Sequence, residues 1–279
     1  MPDNTSSRKF VDLIKRATAK WASWDPGHEI KVGDYGKIDK ISGVFDRRGN
    51  IYDDTHIYTD KEIAQRVKDN PPKLASRENK YIATSSKVKR SDLKVEAEAE
   101  VPGLANASIK GQWTFSSERG ALLIMAQPCS SYIPPAKLLE HLAKVKALED
   151  MFLVTEVFLC PAYSLYLSSG NNDVVSLALV GSSPVPTAPG LTVGGELGVK
   201  WWDKNTTGLL RNGRDHHGKD SFTPLYMLKE IRKRSWHDFR RGLPTPVYEG
   251  DDLWCDVQAP WDPLDEEGNE DIIEDTIFE

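Results

Sequence analysis

Imidazole, thiol and carboxylate groups build most catalytic and metal centres, and in this 279-residue chain they do not gather. Of the six histidines, His28, His56, His141, His216, His217 and His237, only the Asp215-His216-His217 run forms a cluster. Two adjacent imidazoles on one loop would need ligands from elsewhere to hold zinc, so a solvated turn is expected there. Cys129, Cys160 and Cys255 are widely spaced, with no C-x-x-C pair, and indicate neither a zinc site nor a disulfide framework. Their low density and odd number fit a reducing compartment. No nucleophile elbow, H-E-x-x-H pair or Walker loop occurs. Gly194, Gly195 and Gly198 do not form a dinucleotide fingerprint. The expectation is therefore no enzyme, no catalytic residue, no metal and no cofactor. Aromatic and basic residues interleave at 222–241 but match no nucleic-acid module, so nucleic acid is not expected as a partner.

Charge and apolar spacing carry more. Residues 242–279 hold 13 acidic groups and no Lys or Arg. The other 241 residues hold the remaining 29 acidic and all 36 basic ones, a net of +7 against −6 for the whole chain. A basic body tethered to an acidic segment can act as an electrostatic latch, and such a body suits an anionic surface once the latch is gone. Leu253, Trp254, Trp261, Leu264, Ile272, Ile273, Ile277 and Phe278 are interleaved with the carboxylates. Purely solvating tails lack such anchors.

Several elements must position these groups. Residues 8–24 read as one amphipathic helix: Phe10, Leu13, Ile14, Ala17, Trp21 and Trp24 follow 3-4 spacing, flanked by Arg8, Lys9, Lys15, Arg16 and Lys20. Asp25-Pro26-Gly27 is expected to end it. Packing on the body with a solvated basic face would give the same pattern. Short strands broken by turns at Ser42-Gly43 and Arg48-Gly49-Asn50 are expected over 30–58, including IYDD at 51–54, with a helix at 60–69 stopped by Pro71-Pro72. Strict alternation marks 94–101, then 108–115, where Ile109, Gly111, Trp113 and Phe115 share a face. It equally marks an ordinary half-exposed strand. Buried strands are expected at 121–126 and 151–160, further strands at 162–180 and 191–202, and a helix after Pro134-Pro135 with Leu138, Leu139, Leu142, Val145 and Leu148 inward. Residues 222–234 start extended and are expected to end as a basic helix. The Pro/Gly-rich stretch from about 235 reads as an exposed linker open to proteolytic nicking. No apolar run reaches about 18 residues, and neither a secretory signal nor a myristoylation site is expected at the N-terminus.

GDYGKI at 33–38 with G-N-I-Y at 49–52, FLVTEVFLCPAYSLYL at 152–167, FTPLYMLK at 222–229, the basic first helix and the strand pairs at 79–125 and 164–202 together resemble the fungal gasdermin-like proteins. The resemblance covers roughly 8–235 and is greatest to the short-tailed HET-Q type used in allorecognition. It implies an α+β fold: a gasdermin N-terminal-like twisted, mostly antiparallel sheet with flanking helices over 1–238, plus a short C-terminal inhibitory segment with its linker over 239–279. It implies a cytoplasmic, autoinhibited chain that a protease, often a subtilisin-like serine protease, activates by removing the tail. The remainder then binds acidic phospholipids, homo-oligomerises into a β-barrel pore in the plasma membrane, and kills the cell in heterokaryon incompatibility. Carried onto this chain, lipid contact falls to Arg8, Lys9, Phe10, Leu13, Lys15, Arg16, Lys20 and Trp21. Cleavage falls near Phe239, Arg240 and Arg241, and autoinhibitory contact to Leu253, Trp254, Trp261, Ile272, Ile273 and Phe278. The competing expectation is a soluble lipid-binding or protein-interaction module regulated by its tail, without pore formation.

Overall fold

The computed structural model describes residues 4–93, 103–104, 107–117, 119–134, 137–181, 199–205, 207–232, 253–262 and 264. In chain order the elements are α1 (Asn4–Thr18), β1 (Trp21–Ala22), β2 (Asp34–Ile38), β3 (Phe45–Asn50), α2 (Lys61–Asp69), β4 (Lys73–Leu74), β5 (Lys80–Thr84), β6 (Val88–Ser91), β7 (Ile109–Phe115), β8 (Ala121–Ala126), β9 (Cys129–Tyr132), α3 (Leu138–Leu142), β10 (Phe152–Cys160), β11 (Ala162–Leu167), β12 (Val174–Gly181), β13 (Val199–Asn205), β14 (Leu209–Arg214), β15 (Phe222–Ile231) and β16 (Trp254–Asp256). Short 3-10 turns lie at Thr55–Ile57 and Lys146–Leu148. The protein is mixed α and β, dominated by antiparallel sheet, with few helices among the described residues.

Three sheets form. The first has the order β1-β15-β10-β2-β3, with β16 added on β15, and β9 joining β10 to β4. The second is β14-β11-β8-β5 and the third β13-β12-β7-β6. The second lies in the middle, which explains why 121–126 and 162–167 are buried at every position. On one face Leu123, Met125 and Leu165 pack with Phe10 and Ile14 of α1. On the other, Leu122, Ile124 and Tyr166 pack with Trp113, Phe115, Leu177 and Trp201 of the third sheet. In β7 the alternation holds as expected, with Ile109, Gly111, Trp113 and Phe115 inward.

Five expectations need correction. The first helix ends at Thr18, where Ala19 takes a left-handed φ of 59°; Trp21 lies in β1 opposite Tyr226, and Trp24 lies beyond it. Strand pairing there overrides the 3-4 spacing. Arg48-Gly49-Asn50, expected as a turn, completes β3, because Asn50 is locked opposite Asp34. IYDD instead forms the following turn, which Asp54 organises by accepting from the Asn50 amide at 2.8 Å. The helix after Pro134 shortens to α3 and a 3-10 turn, although Leu138, Leu142, Val145 and Leu148 are buried as expected. The basic helix ending 222–234 is absent up to Ile231: β15 runs on because β10 and β16 pair with it on either side. The strand expected over 94–101, most of the glycine-rich strand before 199, and the linker from 235 lie outside the described residues.

Candidate functional site

The tail's anchors seat on the body. Trp254, Val257, Trp261 and Leu264 are buried in one cluster with Val11, Trp21, Tyr226 and Leu228. β16 adds a short antiparallel strand along the edge of β15, Ile231 opposite Trp254 and Lys229 opposite Asp256. The Arg232 amide donates to Leu253 O at 2.8 Å and the Val257 amide to Leu228 O at 3.2 Å. Both indoles find acceptors: Trp254 Nε1 donates to Leu139 O at 2.7 Å and Trp261 Nε1 to Asp12 Oδ1 at 3.2 Å. Trp261 also meets Trp21 edge to face, centroids 5.9 Å apart. Such geometry suits the ring quadrupoles. The ion pair between Lys229 and Asp256, at 3.0 Å, is largely solvent-exposed. Val257 and Asp12, which sequence reasoning passed over, are thus part of the docking site.

The helix beneath is held from two sides. Phe10 and Ile14 are fully buried between the first and second sheets, while Val11 and Asp12 face the tail's cluster. Arg16 remains half exposed and pairs with Asp12 at 3.0 Å. Lys15 lies 5.0 Å above the Trp21 ring, and burial pushes its pKa below the ordinary lysine value against the opposing pull of Asp256 and Asp12. Lys20 lies over Phe158 at 5.3 Å, Arg8 reaches Lys40 O at 3.4 Å, and Lys9 and Leu13 are half-buried. Of the residues assigned to lipid contact, Phe10 and Trp21 are inside the molecule and can reach a membrane only if α1 and β1 lift off. Phe239, Arg240, Arg241, Ile272, Ile273 and Phe278 lie outside the described residues.

A second feature concerns the sheets. Four runs of chain each give one strand to the second sheet and one to the third: β5–β6, β7–β8, β11–β12 and β13–β14. Each run turns a corner, and the corners stack, with Ser85, Lys87, Gly120, Asn172 and Gly208 among their residues. Lys87 and Asn172 are left-handed, φ 60° and 63°. A Cβ on Gly120 would collide with the Phe115 ring, and one on Gly208 with Tyr166. Across the two middle runs the register is continuous: Thr114 faces Val174 and Ala121 faces Leu167, seven steps in each. The outer runs take a shorter path, as Val88 and Thr84 face Phe115 and Leu122. Behind the corners, Trp113 Nε1, Ser164 Oγ and Ser168 Oγ are buried with no hydrogen-bond partner in the structure.

Several polar groups elsewhere are paired with one another. A cleft of about 770 Å³ has Ile30, Val157 and Leu159 in its lining and Tyr52, Pro71 and Lys219 around them. Its Glu29 pairs with Lys31 at 3.0 Å, and Asp220 with Arg77 at 2.6 Å. Asp215 closes its own turn, accepting from the His217 and Lys219 amides and the Ser221 hydroxyl, which lowers its pKa to about 2; both histidines beside it are exposed. Among the described residues no group of three or more His, Cys, Asp or Glu is placed to hold a metal, and no helix is long and apolar enough to cross a membrane. In comparisons with known proteins, no family model and no curated protein matches the chain.

Proposed function

We propose that this is an autoinhibited pore-forming protein of the gasdermin-like kind. Removal of the acidic tail, by a cut within 236–243, lets the N-terminal part bind acidic phospholipids and oligomerise. Its four cornered runs then straighten into strands of a membrane β-barrel, and the cell dies by lysis. The observation that carries this reading is the stack of corners. The runs span 80–91, 109–126, 162–181 and 199–214, each longer than the roughly 9–11 residues a tilted strand needs to cross a bilayer. The continuous register of the middle pair lets the corner residues join one ladder without slippage. β5 and β14 are the two edges of the second sheet, and alternation of direction makes one copy's β14 antiparallel to the next copy's β5. Closure by such pairing satisfies every backbone group in hydrocarbon.

The tail's role follows from its seat against α1 and β15. Residues 1–239 should release dye from vesicles containing phosphatidylserine, whereas the full chain should not. Equal inertness of the two would refute the proposal, and membrane binding without leakage would favour a lipid-binding module.

A further inference from the structure

One carboxylate crosses the corner that the pore reading requires to open. Asp173 is 4% exposed and stands at the end of the corner of the third run. Its Oδ2 accepts from the Tyr166 hydroxyl at 2.6 Å and from the Ser169 amide at 3.1 Å. Its Oδ1 accepts from the Val174 amide at 3.0 Å and, in the fourth run, from the Thr207 amide at 3.4 Å. Tyr166 Oη in turn accepts from the Gly208 amide at 3.0 Å, and Ser169 Oγ donates to Thr207 Oγ1 at 2.7 Å. The backbone of Asp173 meets the second run as well, its carbonyl accepting from the Phe115 amide at 2.9 Å. Groups from before the bend, after it, and on the neighbouring run thus converge on one buried carboxyl group.

We propose that Asp173 is the catch that holds the corner closed, a positioning residue whose bonds must break before the hairpin can extend. Tyr166 and Asp173 are seven residues apart. In a straight strand rising about 3.3 Å per residue their Cα atoms stand about 23 Å apart, beyond the reach of two side chains. The Val174 bond is local and survives straightening, so the Tyr166 and Ser169 bonds are the ones that distinguish the bent state from the extended one.

The inference rests on the pore reading for its purpose but not for its test. Asp173→Asn keeps shape and one acceptor but sets an amide donor against Tyr166; Tyr166→Phe removes the same bond and keeps the ring. In the full chain without membranes, hydrogen exchange of the Ser169, Thr207 and Gly208 amides and of β12 and β13 should rise about tenfold or more in both variants. The Val257 amide, in the docked tail, should not change. Added protease should then give dye release from phosphatidylserine vesicles faster than the wild-type chain does. A uniform rise at all amides would make Asp173 a residue of general stability, and no rise at the corner would remove the catch; either overturns the proposal. A loosened corner with an unchanged leakage rate would overturn its gating role. If the cut wild-type chain does not leak at all, the pore reading falls, and the exchange pattern alone decides whether Asp173 holds the corner.

Discussion

Replacing Trp261 by alanine separates two ways in which the tail could hold. The indole is 8% exposed, packs on Trp21 and donates to Asp12. Truncating a buried aromatic to alanine costs about 3–5 kcal/mol. Applied to an intramolecular docking equilibrium, that shifts the undocked fraction roughly 200- to 5,000-fold. Asp12 keeps its pair with Arg16, so the loss is mainly one of packing. The contrasting variant is Asp256→Asn, which breaks the Lys229 ion pair. Lys229 is 31% and Asp256 61% exposed; an exposed pair of this kind contributes about 0.2–1 kcal/mol, at most about fivefold. Hydrogen exchange of the Arg232 and Val257 amides, which close the β15–β16 edge, reads the docked fraction directly. Trp261→Ala should expose both amides and make the uncut chain release dye, while Asp256→Asn should do neither. If the two variants behave alike, or if Trp261→Ala leaves the amides protected, apolar anchoring is not what holds the tail.

Two other tests probe the frame around the site. Gly120→Ala forces a methyl into the Phe115 ring at the corner and should cost about 1–3 kcal/mol, read as a lower denaturant midpoint; an unchanged midpoint would mean the corner yields freely. Asp215 has a depressed pKa, so the order it gives its turn is fully present above the ordinary carboxylate value and lost as pH falls through about 2. Protection of the His217 and Lys219 amides should follow that course and be weakened at all pH values in Asp215→Asn.

Local pattern sufficed wherever an element is defined by its own faces. The alternation in β7 and the apolar runs of β8 and β10 could be read directly, because their burial follows from strand geometry. It failed where a distant strand decides. Trp21 and Trp24 continue the helical spacing of α1, yet Trp21-Ala22 pairs with β15, some two hundred residues away in sequence. The basic stretch after Met227 looks helical until β16 pairs with it. In the tail, Trp254, Val257, Trp261 and Leu264 even follow 3-4 spacing, but β16 and Pro260 make it a strand and an irregular segment. The anchoring tryptophans could be picked out as apolar residues among carboxylates. Asp12 and Asp173 could not, since nothing local distinguishes a buried acceptor from a solvated one.

The charge split is the loudest signal in the sequence, and in the described part of the tail it is represented by one exposed pair, Lys229 with Asp256. Arg16 stays half exposed with the tail in place, so the tail does not work by covering every positive group. What it touches is α1, through Val11 and Asp12. The helix in turn wedges Phe10 and Ile14 between the first sheet and the second, and the second carries the corners. Under the proposed function, cutting the linker does not by itself expel α1, because each of those buried side chains would cost about 1.5–3 kcal/mol to expose to water. A membrane removes that penalty by offering an apolar destination, and its anionic surface adds attraction for Arg8, Lys9 and Arg16. On that proposal cleavage sets permission and lipid supplies the drive, which would confine straightening of the runs to the bilayer surface and spare the cut chain from aggregating in water.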